Sequence, residues 1–474
     1  MLRSSSSVTQ VIAMASSASN TASVAANATA PARFACPAEQ LRDVARAVLH
    51  RARDKGASAC EVEVSEGYGQ TVTVRRKNID TIEYNRDKGI GVTVYLGQRK
   101  GYASSSDFSA RALADTVDAA LSIARFTAED DAAGLAPEER LCRSSADLDL
   151  FHPWDPSVEH AAELARRCES AAFALDKRIR NSDGASVSSQ HYQFVQANSQ
   201  GFLDGFSTSR HHIGCGVIAS EKGAMQRDDW HVSCRNAIDF PEPERIGDYA
   251  GRRALARLRS RKIDTTQAPV LFEAPVANGL LGQFVGAVSG GSLYRKTSFL
   301  TDSLGKQVFA RGVNLSERPH LKGGLASSWF DDEGVLTCER EVLKDGVLQG
   351  YFLGSYSARK LGMQTTGNAG GSHNLILHGG KRDLAGMIRH MRRGLLVTEL
   401  MGQGVNMVTG DYSRGAAGYW IEGGEIAYPV EEVTIAGNLR QMFLGIADIG
   451  SDALTRGSRT CGSILVDQMT IAGN

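Results

Sequence analysis

The chain has 474 residues, of which 42% are hydrophobic and 22% charged, with 53 Lys plus Arg against 53 Asp plus Glu. That length suggests two to four domains, and the ordinary composition excludes wholesale disorder. The balanced charge gives no support to a polyanion-binding role, which needs clustered excess cations.

In chain order, residues 1–36 form a Ser/Ala-rich segment that reads as a disordered tail, with Met14 as an alternative start. Its best apolar run, Val11–Ala15, is shorter than the core of a secretory signal, which disfavours a cleaved export signal. A helix follows over about 38–56, where Leu41, Val44, Ala45, Val48, Leu49 and Ala52 recur at helical spacing. Alternating strands are expected at 60–64, 71–74 and 91–95, then a helix starting near Asp107. Residues 158–178 read as a second such helix, followed by strands at 185–198, 202–210 and 213–220, another ending at Cys234, and a helix near 244–260. Helix, strands, helix thus appears twice, at 38–127 and 158–260, consistent with an internal duplication. The proline-bearing segment Phe151–Pro156 between them reads as a linker or domain boundary.

After Lys262 the texture becomes Gly-rich and mostly β, a barrel or folded sheet with helices near 277–287, 356–361 and 381–393. Strand-like runs include 336–343, 426–430 and 433–436. The fold class is therefore α+β: a duplicated helix–strands–helix N-terminal region followed by a mostly β, Gly-rich C-terminal domain. The expected organisation is a tail at 1–36, an N-terminal α+β domain at 37–150, a second unit at 151–266 and a C-terminal β-rich domain at 267–474.

The eight cysteines are scattered without a CxxC, which reads as reduced, mostly buried thiols of a cytoplasmic protein. No stretch approaches the ~20 apolar residues needed to cross a bilayer. No histidine is followed by Glu, so neither HExxH nor HExxxH is present. Glu159-His160 reverses that order and reads as a solvated helix face. His211-His212 lies in strand-like sequence, where neighbouring side chains point to opposite faces and do not readily share a metal. His373 and His378 read as loop histidines. There is no GxSxG elbow and no P-loop. The Gly-rich segments 367–371 and 402–404 read as tight turns or places where backbone approaches backbone, while 410–418 reads equally as a binding loop or a structural turn. The residues alone yield no autonomous catalytic constellation.

Several long strings nonetheless resemble one family. Leu293–Leu300, Ser303–Val308, Ser355–Gly362, Gly394–Gly404, Tyr412–Gly418 and Thr434–Leu439 are similar to the PmbA (TldE) branch of the TldD/PmbA family, and the resemblance spans about 40–474. It implies paired subunits forming a cytoplasmic metalloprotease that processes or degrades peptides, such as microcin B17-type precursors and antitoxin-like chains. In the TldD branch an HExxxH helix and a later cysteine hold zinc. The resemblance places Glu273 at the first histidine, Ala274 at the general-base glutamate and Asn278 at the second histidine, with Cys461 keeping the third ligand position. No zinc is expected on so degenerate a set, because Asn rarely ligates zinc and Ala274 has no group to take a proton from water. The expected role is the non-catalytic partner of a TldD-like subunit that carries the zinc, handling unfolded or extended peptides, with no nucleic acid and no membrane. One alternative is a self-contained metallopeptidase using Cys461 with His373, His378 or His320. Another is a non-proteolytic regulatory protein acting on toxin–antitoxin or topoisomerase systems.

Overall fold

The computed structural model describes residues 34–473. The expectations for Met14, the export signal and the tail before Phe34 lie outside the described residues. Residues 34–36, expected in that tail, are instead fastened: the amides of Ala35 and Cys36 donate to the two Glu66 carboxylate oxygens at 2.7 and 3.0 Å.

The first unit runs α1 (Ala38–Asp54), β1 (Ala59–Arg75), β2 (Asn78–Leu96), β3 (Arg99–Ser105) and α2 (Ala110–Phe126). The second runs α3 (Val158–Leu175), β4 (Ile179–Asn198), β5 (Leu203–Asp204), β6 (Ser207–Glu221), β7 (Ala224–Cys234) and α4 (Pro243–Ala256). Serine caps start α2 and α3: the Ser109 and Ser157 hydroxyls accept from the amides of Ala112 and His160. Element order repeats, yet the strands make one continuous sheet, β3-β2-β1-β4-β6-β7, with β5 on β4. α1 and α2 cover Val62, Val64, Val92 and Val94, while α3 and α4 cover Val72, Val187, Ile213 and Val217.

Several strand boundaries differ from expectation. The segments expected at 60–64 and 71–74 are parts of β1, which runs unbroken through Gly67 and Gly69. Gly69 marks a close strand approach instead of a turn, since a Cβ there would overlap the Ser189 carbonyl. Likewise the strands expected at 202–210 and 213–220 resolve into short β5 and a β6 that spans 207–221. β2 begins thirteen residues before Gly91, and its first half is exposed throughout, so no hydrophobic alternation announced it.

Phe151–Pro156, between the two units, is fastened to the sheet. The Trp154 amide donates to His191 Nε2 (3.1 Å), the His152 amide donates to Ser209 Oγ (2.9 Å), and His211 Nε2 bonds the His152 carbonyl at 2.9 Å. Ser189 and Gln70 donate to the carbonyls of Trp154 and Pro156. The sheet thus holds this segment by its backbone. Burial holds the pKa of His191, His211 and His212 down at about 4. In the unfolded chain these imidazoles titrate near 6.5, so unfolding takes up protons between those two values. Stability is therefore expected to be full above about pH 6.5 and to fall towards pH 4, by on the order of 2–3 kcal/mol per histidine. Thermal melts across that range check this, and a flat profile would contradict it.

The C-terminal part contains β8 (Thr266–Phe272), α5 (Ala274–Ala287), α6 (Gly290–Tyr294), β9 (Leu315–Glu317), β10 (Arg340–Lys344) and β11 (Val347–Leu348). It continues with α7 (Ser355–Lys360), β12 (Leu375–Leu377), α8 (Leu384–Met391), β13 (Gly394–Met401), β14 (Asp411–Glu422) and β15 (Glu425–Asn438). It ends with α9 (Leu439–Leu444), β16 (Ile446–Ile449), β17 (Leu454–Arg456), β18 (Arg459–Cys461) and β19 (Ile464–Ala472). One sheet has the order β15-β14-β13-β8-β19-β16, and a further β15–β19 pairing closes five of these strands into a ring. The other has the order β11-β10-β9-β12-β18-β17. Side chains alternate across β8: Val270 and Phe272 enter the main core with α5, while Leu271 packs under α8. Most of 410–418 is strand β14 and not a loop, and the run expected at 336–343 is regular only from Arg340.

Candidate functional site

β8 carries the chain to the middle of the ring, and α5 begins where it leaves. Glu273 stands at that turn, its amide donating to the Val397 carbonyl of β13 at 3.0 Å. Its side chain does not cap α5. That task falls to Ser463, whose Oγ accepts from the Ala274 amide (3.1 Å) and donates to Asp452 Oδ2 (2.7 Å). The Glu273 carboxylate turns towards α4, where Oε1 accepts from Arg253 Nη1 at 2.7 Å.

Arg253 belongs to the buried stripe of α4 with Ile246, Tyr249 and Ala250. Its guanidinium also donates from Nε to Asp228 Oδ1 at 3.0 Å and lies over the rings of Trp230 and Tyr249 at 5.5 and 5.7 Å. Arg257 stands on the other side of Asp228 at 3.6 Å and pairs with Glu399. Relative exposure is 6% for Arg253 and 2% for Glu273, so this charge cluster is shielded from water. Burial pushes the Glu273 carboxyl above the usual carboxylate range, against the pull of Arg253.

One turn into α5, Asn278 Nδ2 donates to the Ala274 carbonyl (3.1 Å) and to the Leu454 carbonyl of β17 (3.3 Å). Cys461, fully buried at the end of β18, directs its Sγ at that same Ala274 carbonyl at 3.8 Å. Burial raises its thiol to about 12, followed by the nearby Asp452 charge, so it is protonated at neutral pH. The four positions singled out in the sequence are therefore brought together at the start of α5. Sequence reasoning missed Arg253, Asp228 and Ser463.

The other singled-out histidines lie elsewhere. His373 donates its amide to Glu317 (2.7 Å), His378 Nε2 bonds Ser316 Oγ (2.7 Å), and His320 stacks on Trp329 with ring centroids 3.8 Å apart. His211 faces Trp154, whereas His212, on the opposite face of β6, lies beside His231. Glu159 and His160 sit in the first turn of α3. Among the described residues no group of three or more His, Cys, Asp and Glu side chains is placed to hold a metal ion. No described helix is long and apolar enough to cross a membrane. A cavity of about 790 Å³ lies on the N-terminal sheet, lined by Glu61, Glu63, Ser65, Tyr102 and Gln196 among others, with Asp332 of the C-terminal part beside them.

Three family models cover most of the chain: PmbA/TldA metallopeptidase domain 1 over residues 60–124, the central domain over 151–258, and the C-terminal domain over 265–473. The chain belongs to the PmbA/TldD family. Among its PmbA/TldD relatives, Metalloprotease PmbA of Escherichia coli O157:H7 is 49% identical over 91% of this chain and 96% of its own. The Metalloprotease TldD homolog of Haemophilus influenzae is 24% identical over 82% of this chain and 88% of its own. A crystal structure from Bacteroides thetaiotaomicron, described as a candidate modulator of DNA gyrase, shares the fold with a TM-score of 0.87. It is 24% identical and covers 92% of this chain and 100% of its own.

The zinc ion implied by PmbA/TldD membership does not fit these residues. Glu273 already serves a guanidinium 2.7 Å away, Cys461 is a neutral thiol aimed at a carbonyl, and Asn278 presents its NH2 group to two carbonyls. A zinc site needs deprotonated thiolate or free imidazole and carboxylate donors. Ala274 ends in a methyl group, so no side chain at that position takes a proton from water.

Proposed function

We propose that this chain is the PmbA (TldE)-type, non-hydrolytic subunit of a TldD–TldE type heterodimeric metalloprotease of the cytoplasm. Its partner is a TldD-like chain that carries the zinc and the general base. The substrates are unfolded or extended peptides, including microcin B17 precursor-like and antitoxin-like chains. The observation that supports this reading most strongly is the Arg253–Glu273 ion pair at the head of α5, where the first zinc ligand of a hydrolytic sister chain would stand. A carboxylate bound to guanidinium, beside an alanine, neither grips a metal nor primes a water molecule.

What remains for this chain is binding and enclosure. The cavity on the N-terminal sheet, with Asp332 at its side, offers a polar wall to a peptide, whose backbone amides and carbonyls pair with serine, glutamine and carboxylate side chains. Reconstitution tests this. The chain, a TldD-like chain, and an equimolar mixture are assayed on an unfolded peptide, and a stable complex with full cleavage is expected only for the mixture. Full cleavage by this chain alone would overturn the reading in favour of a self-contained peptidase. Absence of any complex, with the TldD-like chain fully active unaided, would favour a regulatory role without proteolysis.

A further inference from the structure

Loss of three side chains would by itself remove zinc from the head of α5, but the structure holds a fourth element that no metal-binding motif describes. Arg253 comes from α4, twenty residues before Glu273, and buries a full positive charge against it. A guanidinium is always protonated at physiological pH, so this charge does not leave when conditions change. It is also fixed in place, held by Asp228 on one side and by the rings of Trp230 and Tyr249. Any divalent cation approaching the position-273 side chain meets a second cation within a few ångströms in a poorly hydrated site, where like-charge repulsion is strong.

We propose that Arg253 is the resident cation of this site: its guanidinium takes the carboxylate at the first-ligand position and itself excludes divalent metal. It ties the central part of the chain, through α4, to the C-terminal ring, through the turn between β8 and α5. The inference rests on the reading of Glu273, Ala274 and Asn278 as a degenerate HExxxH helix, and goes beyond it. Restoring the three residues is then insufficient to restore the metal.

The test is direct zinc binding by the full chain, measured calorimetrically on metal-free protein. Two variants are compared, E273H/A274E/N278H and the same triple with Arg253→Met. With Glu273 replaced, loss of Arg253 leaves Asp228 paired with Arg257, while Arg456 stays over the Trp230 ring in both variants and so does not affect the comparison. Should the quadruple variant misfold by near-ultraviolet circular dichroism, adding Asp228→Asn removes that remaining charge and the comparison is repeated. Zinc is expected to bind the Arg253-less protein at least about tenfold more tightly than the triple variant. Equal, tight binding by both would overturn the role of Arg253 while leaving the degenerate-helix reading intact. No binding by either would overturn both, because the head of α5 would then not be a former metal site.

Discussion

Arg253→Met is expected to destabilise the chain by about 3–5 kcal/mol, because it strands a buried carboxylate without a counter-charge. Asp228 has a second partner in Arg257, but among the described residues Glu273 pairs with no second cation, and its Oε2 already lacks a hydrogen-bond partner there. The loss is expected to be largely recovered in the double variant Arg253→Met/Glu273→Leu, since a buried ion pair exchanged for apolar groups is often close to neutral. Chemical denaturation of the two variants and the parent measures this. A loss below about 1 kcal/mol for the single variant would mean that water reaches the carboxylate.

The second large effect expected on the proposed heterodimer is an asymmetry between the two chains. Altering the general-base position of the TldD-like partner is expected to cut peptide cleavage by the mixture by about 100–10,000-fold, the usual range for a lost proton-transfer group. Asn278→Ala and Cys461→Ala in this chain, both buried and so expected to act on stability, are expected to leave turnover per assembled complex within about threefold if this chain takes no part in the chemical step. Steady-state rates on one unfolded peptide, with complex formation checked by size-exclusion chromatography, compare the two cases. Equal losses from both chains would mean that this subunit contributes to the chemical step.

The architecture was legible wherever one face of an element is apolar. Leu113, Val117, Ala120 and Leu121 announced α2, and alternation through Val62 and Val64 announced the start of β1. It was illegible where both faces are wet or where glycine serves packing. The exposed first half of β2 carries no pattern, and Gly69 reads as a break although it sits mid-strand. The duplicated element order was visible, but the fusion of both copies into one sheet through β1 and β4 depends on pairing between distant segments. The prolines of 151–156 suggested a linker, and only the side chains of His191, Ser189 and Ser209 reveal that the sheet grips it.

At the site, Glu273, Ala274, Asn278 and Cys461 were singled out by the resemblance, and the approach of Asn278 and Cys461 to the Ala274 carbonyl follows from the β17–β18 hairpin folding over α5. The Arg253 pairing was not read, although a signal existed. Arg253 lies seven residues after Ile246 and four after Tyr249, on the stripe that α4 buries. A charged residue on such a stripe requires a buried partner. Its identity came only with the turn that brings Glu273 beneath α4.

Zinc content of the isolated, untagged full-length chain, determined by elemental analysis after dialysis against micromolar zinc, weighs most directly on the proposed division of labour between this chain and a TldD-like partner. Far less than one ion per chain is expected, with Arg253 and Glu273 still paired. One tightly held zinc per chain, lost on Cys461→Ala and accompanied by peptide hydrolysis, would contradict it.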